Sequence, residues 1–320
     1  MKRFKNILLV TGERPGERAT VARAAALAKR NRARLTLVEV IEQLPREMKM
    51  LITVAPPSDL VKLAVKDRRE RLEGLAAPLR DLGIRVSAAV LSGTPFLEVI
   101  RQVVRRKHDL VILTAEGKGG LKERLFGSTS LHLLRKCPCP VWVMKPTRRK
   151  RYGRILAAID PDASDSGRDG LNVMILDLAT SLARIEESRL SVVHVWGLPG
   201  EALYRSGRTR VQRKELEAML AEIEEVSRRR VNELLGRYAL DDIRHDTYVL
   251  KGEAGDLIPE LVRESKADLL VMGTVCRTGV PGFFIGNTAE TVLQHVDCSL
   301  LAVKPKAFVS PVKPKPPRTE

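Results

Sequence analysis

The sequence predicts an α/β protein built from two duplicated, doubly wound domains, and three observations carry that expectation. The chain has 320 residues, about twice the length of an ordinary domain. It also repeats itself. A shift of 159 residues lays Asp109-Leu110-Val111-Ile112-Leu113 over Asp268-Leu269-Leu270-Val271-Met272. The same shift pairs Gly93 with Gly252, Gly120 with Gly279, Gly127 with Gly286, Thr129 with Thr288, Cys139 with Cys298 and Lys145-Pro146 with Lys304-Pro305. Finally, each copy alternates short apolar runs with helical segments, the pattern of a parallel sheet covered by helices. The period is far longer than that of a solenoid, so each copy should be a full domain.

In the first copy, residues 7–11 read as a short strand that stops at the turn cluster Gly12-Glu13-Arg14-Pro15-Gly16. Residues 18–30 space alanine and leucine as a helix does, and residues 35–40 are a second strand. Residues 58–82 form a long amphipathic helix, with Ser58-Asp59 as its N-cap and Gly83 as its stop. Residues 85–91 alternate as a strand. Residues 95–107 are helical, with proline in the first turn. Residues 109–113 and 141–144 are buried strands, and residues 128–135 form a short helix between them. The second copy repeats the order. Its strands fall at 155–160, 190–195, 246–250, 269–272 and 300–303, and its helices at 165–185, 210–238, 253–266 and 287–295. The expected domain limits are 1–147 and 152–306, and the basic Lys/Pro tail 307–320 is expected to be disordered. Right-handed crossovers then wind helices onto both faces, and a ligand belongs at the carboxyl ends of the strands.

Composition excludes several classes. Hydrophobic residues make up 44% and charged residues 30%, which is globular rather than disordered. No run of eighteen apolar residues exists, so no membrane-spanning helix is expected. The apolar stretch near the amino terminus stops at Thr11-Gly12, too short for a signal-peptide core, so a cytoplasmic location is expected. Four cysteines do not make a disulfide scaffold. Cys137 and Cys139 form a C-x-C pair flanked by prolines, Cys276 and Cys298 stand alone, and none has zinc spacing. They read as buried small hydrophobes. The net charge of +17 raises nucleic acid as a partner. Against that, the basic residues are spread along the chain and aromatics are only 4%, so platforms for stacking bases are scarce.

The glycine loops carry the candidate chemistry. After the fourth strand of the second copy comes Gly273-Thr274-Val275-Cys276-Arg277-Thr278-Gly279, then Gly286-Asn287-Thr288-Ala289-Glu290 opening a helix. The first copy has Thr114-Ala115-Glu116-Gly117-Lys118-Gly119-Gly120, then Gly127-Ser128-Thr129. A strand, a glycine-bearing loop and a helix N-terminus make an anion cradle of backbone N–H groups. Lys118 and Arg277 stand at matching places and would neutralise phosphate oxygens. The plainer reading is that these glycines only turn the chain and that Ser128 and Asn287 are N-caps, Asn287 with Glu290 approaching a capping box. No nucleophile elbow, H-E-x-x-H or Walker A motif is present, so no standard hydrolase or kinase is indicated.

These residues resemble a known family. The pattern G-x2-G-x9-G-[S/T] after the fourth strand, Ile155-Leu156 followed by Asp160 on a first strand, and Cys139-Pro140-Val141 before a last strand are similar to the universal stress protein family. The resemblance covers both halves, and Gly286-Asn287-Thr288-Ala289-Glu290 is similar to the second half of enterobacterial-type tandem members. It implies a five-stranded parallel sheet of order 3-2-1-4-5 in each half, and halves that pair through their last strands, in a monomer or a further homodimer. It implies a cytoplasmic, non-catalytic regulator of stress resistance, without membrane attachment. Nucleotide-binding members hold ATP, with Mg²⁺, through the first-strand Asp, backbone at the second strand and the glycine loop. Carried over, the second copy offers Asp160, Val193, Gly273, Cys276, Arg277, Gly286, Asn287 and Thr288, and the first offers Gly117, Gly127, Ser128 and Thr129. From the residues alone, Asp160-Pro161-Asp162 is as natural a turn with helix-capping acids as a Mg²⁺ site, and His194 reads more readily as a core residue with one hydrogen bond than as a neighbour of the adenine. Neither copy is complete. Thr11 stands where the family has Asp, Thr114 replaces the first loop glycine, Cys276 replaces the second glycine of the second copy, and Asn287 replaces Ser. The alternatives are a nucleotide-free scaffold for protein partners and a basic nucleic-acid-associated protein.

Overall fold

A computed structural model describes residues 4–42, 57–115, 126–147, 151–161, 166–206, 211–274 and 286–313. The chain divides into two compact units between Lys150 and Arg151, and residues 308–313 belong with the first.

The first unit runs β1 (Asn6–Val10), α1 (Glu17–Asn31), β2 (Arg34–Ile41), α2 (Pro57–Asp81), β3 (Arg85–Ser92), α3 (Pro95–Arg106), β4 (Leu110–Thr114), α4 (Ser128–Lys136) and β5 (Val141–Met144). Its strand order is β3-β2-β1-β4-β5, with parallel pairing. The central strands are continuous apolar runs because both faces are covered, and every residue of β4 and β5 is buried.

The second unit runs β6 (Arg154–Ala158), α5 (Ser166–Glu186), β7 (Arg189–Trp196), α6 (Glu201–Arg205), α7 (Arg213–Leu235), β8 (His245–Lys251), α8 (Ala254–Glu264), β9 (Leu269–Gly273), α9 (Asn287–His295) and β10 (Ser299–Val303). Its order is β8-β7-β6-β9-β10, again parallel. Each unit therefore has the five strands and the 3-2-1-4-5 order that the resemblance implied.

The repeated residues have specific duties. Asp109 accepts from the backbone N–H of Lys5 at 2.6 Å and of Asn6 at 3.0 Å, and Asp268 accepts from Gly153 at 2.7 Å and Arg154 at 3.1 Å. Each carboxylate holds the start of its unit's first strand, so these acids are structural. Gly93 and Gly252 have φ of 144° and 146°, a conformation only glycine adopts without strain, at the turn into α3 and α8.

Several helix ends differ from what the local signals predict. Gly127 and Gly286 are the N-caps of α4 and α9, so Ser128 and Asn287 are the first helical residues and the Asn287/Glu290 box does not form. α2 starts at Pro57, which puts Ser58 and Asp59 inside its first turn rather than at its cap. A five-residue helix not expected from the sequence, α6, precedes the one expected over 210–238, which is the single helix α7. Gln212 and Glu215 make a reciprocal capping box there, with Gln212 N–H donating to Glu215 Oε2 at 2.8 Å. In the tail, the Ser310 hydroxyl donates to the Lys136 carbonyl at 2.7 Å, and residues 314–320 lie outside the described residues.

Candidate functional site

In each unit the sheet order reverses between the first and fourth strands, and helix N-termini gather at the carboxyl ends there. In the second unit the last β6–β7 pair is Ala158 with Val193. Ile159 N–H then donates to the Val193 carbonyl at 2.9 Å, and Asp160 is the next residue. Asn172, on α5 and 2% exposed, grips Asp160 from beneath. Its Oδ1 accepts from Asp160 N–H at 2.9 Å, and its Nδ2 donates to the Asp160 carbonyl at 2.9 Å. One side-chain amide thus satisfies both backbone groups of one residue and fixes where Asp160, itself half-buried, stands at the end of the sheet.

Val193 does not serve as expected. Its carbonyl is engaged by Ile159 and its side chain is buried. Backbone groups alternate sides along a strand, so the residue that presents its edge beyond the end of β6 is Val195. His194 is buried with Nδ1 3.3 Å from the Ile159 carbonyl, which makes it a strand-end support rather than a face for a base.

Gly273 ends β9, and a Cβ built there would come within 2.8 Å of Leu171 Cδ2. Its lack of a side chain serves packing against α5. Thr274, 1% exposed, donates its N–H to the Val303 carbonyl at 3.2 Å and accepts from Gly286 N–H at 3.4 Å. The end of β9 is therefore tied to the cap of α9. Asn287 and Thr288 are exposed on the first turn of that helix, where amides and dipole favour an anion. Cys276 and Arg277 lie outside the described residues, as do Asp162, Gly117 and Lys118. At the matching helix of the first unit, Gly127 is the N-cap, Ser128 is exposed and Thr129 is buried.

The first unit handles the same place differently. Thr11 N–H donates to the Val38 carbonyl at 2.8 Å, the bond that Ile159 makes to Val193. The counterpart of Asp160 is therefore Gly12, and the placing of Thr11 there is off by one. Gly12 N–H donates to Glu17 Oε1 at 2.7 Å, so Glu17 stands in for Asn172. The other Glu17 oxygen accepts from Arg71 Nη1 at 3.0 Å. Arg71, on α2, also donates to Glu39 Oε2 from Nε at 3.1 Å and from Nη2 at 2.5 Å, and reaches Thr11 Oγ1 at 3.4 Å. Arg68 bridges Glu39 and Glu13, at 3.1 Å each. Arg14 Nη1 donates to the Thr114 carbonyl at 2.9 Å.

Guanidinium groups thus cover the carboxyl ends of β1, β2 and β4. Burial works against the Arg71 charge. The hydrogen bonds and charges of Glu39 and Glu17 outweigh it and hold Arg71 above its ordinary pKa. In the second unit the corresponding corner is apolar, with Trp196, Leu216 and Leu220 packed by Leu198, Tyr204 and Ile223.

Asn172, Glu17 and Arg71 escaped the sequence reading, since none sits in a glycine loop. Among the described residues no group of three or more His, Cys, Asp or Glu side chains could hold a metal ion, and no helix is long and apolar enough to cross a membrane.

The model of the universal stress protein family matches residues 3–145 and again 151–304. The chain is 27% identical to universal stress protein E of Salmonella typhi and to that of Escherichia coli K12. Each alignment spans 98% of both chains. Among solved structures, a functionally unknown protein from Pseudomonas aeruginosa aligns over 95% of this chain and 94% of its own, with TM-score 0.71 and 24% identity. A universal stress protein from Archaeoglobus fulgidus aligns over 95% of this chain and 98% of its own, with TM-score 0.62 and 17% identity. These two structures support the fold.

Proposed function

Because the chain belongs to the universal stress protein family, we propose that it is a non-catalytic, cytoplasmic stress regulator that binds an adenine nucleotide, ATP with Mg²⁺, in its second unit. One contrast carries this reading. At the same place in the two sheets, the second unit presents Asp160 on a backbone held by Asn172, whereas the first presents Gly12 beneath Arg71 and its carboxylates. Asp160 would accept hydrogen bonds from the nucleoside, and the backbone of Val195 would meet the base edge. The first turn of α9, with Asn287 and Thr288, would meet the phosphates, joined by Arg277. Binding would act through stabilisation of the bound form.

Equilibrium titration with ATP and Mg²⁺ tests this. The expected result is saturable binding that Gly286→Val weakens by about tenfold or more, roughly 1.4 kcal/mol, while Gly127→Val leaves it unchanged. Gly286 has φ of −64°, so valine brings bulk to the phosphate end without backbone strain. No saturation at millimolar ATP, or a larger loss from Gly127→Val, overturns the assignment. The first of these outcomes leaves a nucleotide-free scaffold.

A further inference from the structure

We propose that Cys137 and Cys139 form a dithiol–disulfide couple, a site of reversible oxidation by hydroperoxides at the end of α4. The geometry makes the pair. α4 stops at Lys136, and Cys137 follows as its C-cap with φ of −71° and ψ of 132°. Pro138 holds Cys137 extended and prevents the helix from continuing. The chain bends at 138–139, which folds Cys139 back until its sulfur lies 3.6 Å from that of Cys137. Residues two apart in a bent chain fall within the Cα spacing a disulfide spans, about 4.4–6.8 Å. The sulfurs need to approach by roughly 1.5 Å to reach bonding distance, a movement that side-chain rotation supplies.

The second unit is an internal control. Cys298 occupies the place of Cys139 and is 2% exposed, but the place of Cys137 is taken by Val296. Val296 has nearly the same backbone, φ −84° and ψ 141°. A buried single cysteine there is accounted for by packing. Packing at the first site is equally served by valine, so the second thiol is the added feature.

The chemistry balances with a hydroperoxide as oxidant. Cys139, 8% exposed against 0% for Cys137, is attacked first. Its thiolate takes the near oxygen of the peroxide and the O–O bond breaks. The products are a sulfenic acid at Cys139 and hydroxide, or an alkoxide from an organic peroxide, which water protonates. The Cys137 sulfur then attacks the sulfenic sulfur, the S–O bond breaks, and the departing hydroxyl leaves as water with the thiol proton. Two thiols lose two electrons, and peroxide gains them. The carboxyl end of α4 disfavours a thiolate. What the site provides is therefore proximity, which makes the second step intramolecular.

The full-length protein is treated with hydrogen peroxide, alkylated under denaturing conditions and digested after Lys and Arg. Both thiols fall on the one peptide that begins at Cys137. The expected result is that this peptide escapes alkylation, is lighter by about 2 Da and regains both thiols with dithiothreitol, while Cys298 stays alkylatable. Cys137→Val copies the second unit and should fold. It should lose the internal disulfide and leave a Cys139 sulfenic acid that dimedone traps. The proposal is overturned if both thiols of the wild-type peptide remain alkylatable, or if Cys139 proceeds to sulfinic acid or a mixed disulfide. It is also overturned if Cys137→Val forms an internal disulfide as readily as wild type.

Discussion

Asn172 devotes its whole side-chain amide to the backbone of Asp160, at 2.9 Å in both directions. Removing it strands a donor and an acceptor, and a buried polar group without a partner costs about 1–3 kcal/mol. Asn172→Ala should therefore lower stability by about that amount in urea denaturation, and should weaken ATP binding beyond what a fixed loss of folded protein explains. Unchanged affinity at saturating stability would separate Asp160 from the site. Histidines give a second test at this scale. Burial lowers the pKa of His108, against the opposing Asn6 carbonyl and the Asp109 charge. Burial also lowers that of His132, helped by Lys136 and Arg135. For a group whose folded pKa is depressed, the unfolded chain takes up the proton first. The stability is then present above the unfolded value, near 6.5, and is lost as pH falls through the folded one. Urea midpoints should drop between roughly pH 7 and pH 5, and the His108→Asn/His132→Asn double variant should flatten that drop.

At the scale of elements, α2 is where the two units diverge. Its Arg71 and Arg68 meet Glu39 of β2, which is 5% exposed. Arg71→Met leaves Glu39 with Arg68 alone and should cost about 2–3 kcal/mol, below the loss of a fully broken buried pair. The Arg71→Met/Glu39→Leu double variant should recover part of that cost, because Glu39 is then no longer stranded and only the loss of the Glu17 ion pair remains, and strict additivity of the two losses would refute the coupling. Elements also show what could be read early. The strands were legible because burial on both faces leaves an apolar run, as in Leu110–Thr114 and Val141–Met144. α6 was not, because five residues carry too little periodicity, and the capping box at Gln212 is visible only once a start is known. Residue preference misplaced the caps of α4 and α9, where glycine took the position instead.

For the whole chain, the contrast between units predicts one nucleotide bound per chain. Calorimetric titration should give a stoichiometry of about one, and two equivalent sites would refute the reading of the first unit as closed by its own arginines. The net charge of +17 makes a separate, non-specific association with nucleic acid expected at low salt, and it should fall steeply as salt rises. A salt-insensitive complex would mean base readout that the scarcity of aromatics argues against.

By itself the sequence determined the duplication, the order of the strands and of the helices other than α6, and the family. All of these are written in apolar periodicity and repeated glycines, which are local along the chain. Only the tertiary structure decided that Gly12 and not Thr11 is the counterpart of Asp160, that Val195 and not Val193 presents its edge, and that Asn172 and Glu17 accept from matching backbone N–H groups. Those facts depend on strand register and on side chains arriving from other elements, and hydrogen bonds between distant segments leave no periodic trace in the order of residues.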